Sequence, residues 1–186
     1  MSAENAASVL KKASDKLNAS RGTTAVFSIQ DINAGASKGS ISIAGSKFAL
    51  VTSYNTTIFN GKTQWTIDKS AKEVSIYNPT AEEVAQMNPL SLIKSATTAY
   101  KTTLIKSPAG TYKVQLLPKA KNTSLKKINI TFSDKTYIPT VVDMYTTDGN
   151  SIQIKISDVK LSVAIPASTF SVSQKSYPGY DFVDLR

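Results

Sequence analysis

The chain contains neither cysteine nor histidine. The first absence excludes disulfides, thiol nucleophiles and Cys-based metal sites. The second removes His ligands and every catalytic triad built on an imidazole base. Carboxylates and lysines remain for acid–base work, but the commonest catalytic group is missing. We therefore expect no catalytic residue, no metal and no cofactor. Arginine is scarce too, present only at Arg21 and Arg186, so the net charge of +9 comes almost wholly from lysine. Nucleic-acid readers rely on the planar Arg fork for phosphate and guanine. The lysines here are scattered, with short pairs at Lys11-Lys12 and Lys126-Lys127, and no RRM, KH or zinc-finger signature accompanies them. The expectation is a solvated basic surface and no nucleic-acid partner, with a weak attraction to anionic membranes or acidic proteins still compatible.

Long apolar runs are also lacking, which excludes a transmembrane helix. The opening MSAENAAS has neither the basic region nor the apolar stretch of a secretory signal. Two readings follow: a cytosolic protein, or the mature form of an exported one whose leader was replaced by a starting Met. With 186 residues, 41% hydrophobic and 19% charged, the chain is expected to form one globular domain, residues 1–186, with a sizeable core.

What is present is mostly short strands. Residues 4–19 form the exception, since Ala7, Leu10, Ala13 and Leu17 recur at helical spacing. From residue 24 the period becomes two, through TAVFSIQDI, SISIAGSKFALVT, TTIFNGKTQWTID and KEVSIYN. Asn60-Gly61 is expected to form a type I′ turn, and Asp148-Gly149 is a second hairpin signal. Thr63, Trp65 and Ile67 share one face of the strand after the first turn. Residues 80–100 interrupt the pattern: Thr80-Ala-Glu-Glu83 matches a capping box, and Asn88-Pro89 restarts a helix with Pro at its first position. Leu90, Leu92, Ile93 and Ala96 make that second helix strongly apolar. Strands resume from about residue 110 in TYKVQLLPK, LKKINITFS, TYIPTVVDMYT and SIQIKISDV, where Pro139 predicts a bulge or an edge. About ten antiparallel strands are expected, and a sheet that large tends to curl. If helices cover its inner face without filling it, an apolar pocket is left.

Four stretches, in order, carry a resemblance. They are FNGKTQWTIDK, MNPLSLI, VQLLPKAKNTSLKKINITF and FSVSQKSYPGYDFVDLR. Together they resemble the LolA-like periplasmic carriers, which move lipoproteins from the inner to the outer membrane of diderm bacteria. The likeness covers most of the chain from about residue 40 onward. It implies a mainly β fold with helices: a curled, unclosed antiparallel β-barrel covered by an N-terminal helix and an inserted helical lid. It also implies a cavity for acyl chains and an exported, periplasmic monomer. The implied partners are acylated lipoproteins, an inner-membrane lipoprotein-releasing transporter and an outer-membrane receptor. The alternative is a sensor or other lipid-binding domain of the same fold. Candidate cavity and lid residues are Ile41, Ile43, Phe48, Leu50, Trp65, Ile67, Met87, Leu90, Leu92 and Ile93. One feature departs from the family: its lid-latching Arg has no counterpart in Ile43-Ala-Gly-Ser-Lys-Phe48, where Lys47 offers only a point charge.

Overall fold

A computed structural model describes residues 4–186, apart from the side chains of Glu82, Ala85, Gln86, Pro89 and Leu90. Helix α1 spans Ala6–Asn18 and is capped by Asn5, whose side chain accepts the Ser8 N–H at 2.9 Å. Its buried residues Ala6, Val9, Leu10, Ala13 and Leu17 form the expected stripe. A first run of strands follows: β1 (Thr23–Asp31), β2 (Gly35–Ala44), β3 (Lys47–Thr52), β4 (Asn55–Phe59), β5 (Gln64–Asp68) and β6 (Glu73–Tyr77). Helices α2 (Ala81–Met87) and α3 (Pro89–Ala99) come next. The second run comprises β7 (Tyr100–Ile105), β8 (Thr111–Pro118), β9 (Leu125–Ser133), β10 (Pro139–Thr146) and β11 (Ser151–Leu161), and β12 (Asp181–Asp184) closes the chain.

All these strands belong to one twelve-stranded sheet, ordered β12-β6-β5-β4-β3-β2-β1-β11-β10-β9-β8-β7. Each run is an up-and-down meander, and the β1–β11 pair joins them into one curled, unclosed surface. The sequence predicted about ten strands. The two it missed are the edges: β7, which leaves α3 without a connecting loop, and β12. The latter pairs with β6 in parallel, the one departure from antiparallel order.

Local chemistry explains the turns. Asn60-Gly61 does not form the expected type I′ turn, because Gly61 takes a positive φ (101°) and Asn60 does not. Instead the Asn60 carboxamide oxygen accepts the N–H groups of Lys62 (3.0 Å) and Thr63 (2.8 Å), an Asx turn closed by Asn60 N–H to the Thr63 carbonyl. The capping box is present: Thr80 accepts the Glu83 N–H and Glu83 accepts the Thr80 N–H at 2.7 Å. Asn88 ends α2, and its carbonyl accepts the Leu92 N–H of α3 at 3.0 Å. Pro139 opens β10 beside the predicted bulge, where the β9–β10 register shifts between Pro139 and Val141.

The sheet has two unlike faces. On the concave face α1 and α3 pack against each other and against Phe27, Ile41, Ile43, Phe48, Phe59, Leu116, Ile128, Ile130, Phe132 and Val142. Among the described residues the convex face is covered only over β3–β6. There Ala49, Ile58, Ile67 and Val74 meet Phe170, with Ile165, Tyr177 and Tyr180 from the segment between β11 and β12.

Candidate functional site

Between the helices and the concave face lies a cavity of about 100 Å³. Strand β1 supplies Thr23, Ala25, Phe27 and Ile29, and its neighbours β2 and β11 supply Ile41, Ile43, Ile154, Ile156 and Val159. Leu50 comes from β3, Leu17 from the end of α1, Met87 from the end of α2, and Ile138 and Pro139 from the start of β10. Alternation places these side chains together, since every second residue of β1, β2 and β11 points inward. Among the described residues Thr23 is the only one in the lining with a polar side chain, and its hydroxyl donates to Ser20 at 3.2 Å. No carboxylate or amine is among the described lining residues. A surface of this kind sorts solutes by apolar fit alone.

A glycine sets part of the shape. A Cβ on Gly39 would come within 2.2 Å of the Val51 carbonyl oxygen and 2.5 Å of the Phe27 ring. Its absence leaves room for the tip of that ring, which lines the cavity, over Gly39 of β2. The α2–α3 elbow supplies the adaptable element, because Met87 is unbranched and rotates about three side-chain bonds.

One side of the cavity is held by a polar clamp. Tyr137, immediately before Ile138 and Pro139, has a left-handed backbone (φ 58°). Its ring stacks on Tyr112 at 5.8 Å, and its hydroxyl donates to Glu4 at 2.9 Å. Lys12 of α1 lies over the same ring at 4.8 Å and pairs with Glu4. Lys12, then Ser8 and Tyr137, hold the Glu4 carboxyl down to about 2. Burial pushes the Tyr112 phenol up. The clamp thus ties α1 to the loop whose next residues form the cavity wall.

Among the sequence candidates, Ile41, Ile43, Leu50 and Met87 line the cavity. Phe48 is fully buried in the same core but turns toward Phe59, with ring centroids 5.5 Å apart, and is not part of the lining. Leu92 and Ile93 are buried under α3 and form its packing against the core. Leu90 lies outside the described side chains. Trp65 and Ile67 are on the opposite, convex face, where they pack with Val74 and Phe170. Trp65 and Ile67 alternate on β5, but its neighbours β4 and β3 are apolar on both sides and so do not show which side is inner: Phe48 and Ala49 are both buried, as are Ile58 and Phe59. A strand covered on both faces shows no alternation from which to choose the inner one. The concave face of β5 and β6 is instead polar, with Gln64 and Thr66 opposite Tyr77 and Ser75. The lining residues of β1 and β11 were missed, although TAVFSIQD and SIQIKIS show clean period-two patterns. Their pairing across the sheet was the absent information. Lys47 is exposed and makes no ion pair among the described residues.

The profile of a protein family described as outer membrane lipoprotein carrier protein LolA matches residues 1–149. The chain belongs to the LolA family. No curated protein sequence matches it. Among solved structures, an uncharacterized conserved protein from Thermus thermophilus superposes with a TM-score of 0.66 at 11% identity, covering 96% of this chain and 98% of its own. A LolA superfamily protein from Nitrosomonas europaea gives 0.50 at 13% identity, over 91% and 99%. A putative outer membrane lipoprotein-sorting protein domain from Vibrio parahaemolyticus gives 0.50 at 12%, over 90% and 97%. At such identities these structures show a shared LolA fold, an unclosed β-sheet with helices on its concave side. Among the described residues no helix is long and apolar enough to cross a membrane, and no acidic cluster is built to hold a metal.

Proposed function

We propose that the protein is a periplasmic carrier that takes the acyl chains of lipoproteins into the concave cavity and moves them from the inner to the outer membrane. It would receive cargo from an inner-membrane transporter and deliver it to an outer-membrane receptor or to the membrane itself. The observation that carries the reading is the cavity: lined by apolar side chains, bordered by the ends of α1 and α2, and set in the concave face of a LolA-family fold. Its volume of about 100 Å³ falls below the roughly 300–1,000 Å³ of ligand-filled sites. Loading of acyl chains would therefore have to part the helices from the sheet.

The energetics favour exchange over capture from water. Burying an acyl chain yields about 0.8 kcal/mol per CH₂, so three long chains would exceed the ceiling of about 20 kcal/mol for any reversible affinity. A carrier avoids this by passing chains between apolar surroundings with little net change. Aliphatic walls without hydrogen-bond groups suit that role, because no polar geometry has to be matched. The test is uptake of a fluorescent fatty acid or an acylated lipoprotein peptide, with extraction of lipoprotein from spheroplasts supplied with the matching transporter. Failure of both sinks the reading.

A further inference from the structure

The convex face is covered over β3–β6 and bare over β7–β11, β1 and β2, and that bare half carries charge of nearly one sign. The register brings Lys38 of β2 and Lys155 of β11 to either side of Ser28 on β1, directly abreast. Two strand spacings separate them, roughly 10 Å. Lys160, opposite Thr24, extends the row along β11, and Lys101, Lys113 and Lys127 continue it across β7, β8 and β9. Among the described residues, exposed Asp158 stands at the β1–β11 bulge, and the carboxylate on the outer face proper is Asp143. It is already engaged by Lys113 at 3.5 Å and by the Gln153 amide at 2.8 Å. Lys38, Lys101, Lys155 and Lys160 are exposed and form no ion pair among the described residues.

We infer that this half of the convex face docks the protein on anionic lipid bilayers. A broad sheet surface can lie against a membrane plane, and point-charge lysines suit diffuse attraction to anionic headgroups. The face has no arginine, so it lacks the planar fork that phosphate and base recognition in nucleic acids favours. Valines stand singly within it, Val26 between Ser40 and Ser157, which gives no apolar patch for a protein partner. Docking is independent of the acyl cavity, because Ser28 and its neighbours point away from Phe27 and Ile29.

Vesicle co-sedimentation tests it, using phosphatidylcholine vesicles with and without phosphatidylglycerol, at low and high salt. The protein should bind the anionic vesicles alone and lose them at high salt. At about fivefold per lysine, the triple variant Lys38→Glu, Lys155→Glu, Lys160→Glu should weaken binding by about a hundredfold or more. A control triple of equal charge, Lys16→Glu, Lys62→Glu, Lys94→Glu, lies off this face and should weaken it less than about fivefold. Both triples should keep their circular dichroism and their fatty-acid uptake, which separates this result from the carrier reading. Equal losses from the two triples would show that net charge alone acts and would overturn the assignment. So would absence of vesicle binding, or retention of the wild type by nucleic acid or acidic polypeptide but not by vesicles.

Discussion

Filling the cavity should stabilise the protein and disable it. Ala25 lies on β1, almost fully buried, with its methyl group facing the cavity. Empty apolar volume costs about 24 cal/mol per Å³, so a void of about 100 Å³ costs about 2.4 kcal/mol. Ala25→Leu adds three carbons, each worth about 0.8 kcal/mol when buried, and reaches the same figure independently. The expected gain is thus about 1–2 kcal/mol once the loss of leucine rotamer freedom is counted. Urea unfolding reads it as a higher midpoint at unchanged slope. Fluorescent fatty-acid uptake by the same variant should fall by at least about tenfold, because the added side chain occupies the site an acyl chain would enter. A destabilised variant with uptake intact would refute the reasoning on both counts, showing a tightly packed core at Ala25 and a ligand bound elsewhere.

Three further outcomes follow from the same geometry. Trp65 is the chain's only tryptophan and packs on the convex face, so its emission should stay constant through a fatty-acid titration, whereas a Met87→Trp, Trp65→Phe variant should respond. Gly39→Ala should destabilise by about 1–3 kcal/mol, since the new methyl meets the Val51 carbonyl and pushes on the Phe27 ring; thermal unfolding measures it. The Glu4 carboxyl is held down to about 2 in the folded chain, chiefly by Lys12. A depressed carboxyl stabilises above its unfolded pKa and loses that contribution as pH falls toward its folded value. Clamp stability should therefore decline between about pH 4.5 and 2, and Glu4→Gln should flatten unfolding midpoints across that window.

The sequence was most legible where one rule governed each position. Period-two runs became strands, the Thr80 capping box began a helix, and the Asn88-Pro89 step separated two. The edges were harder to read. Strand β7 is continuous with α3, so no turn residue announces it, and β12 depends on a parallel partner more than a hundred residues away. The larger obscurity was the direction a strand faces. Ile41 and Ile43 alternate with Ser40 and Ser42, and the apolar set points to the cavity. Trp65 and Ile67 alternate just as clearly but point to the other side, where residues 163–180 supply a second core. Alternation marks which residues share a face and leaves open what covers it. The cavity's main wall was missed for a related reason, since β1 and β11 become neighbours only when the two meanders join.

Methyl NMR gives the most direct test of acyl binding on the concave face, because isoleucine occurs on both sides of the sheet. Ile41, Ile43, Ile154 and Ile156 line the cavity, while Ile58, Ile67 and Ile76 pack on the convex side. With ¹³C-methyl isoleucine and an acylated lipoprotein peptide, the first group should shift on titration and the second should hold still. Shifts confined to the convex group, or no shift in either group with binding proven by mass, would contradict the account.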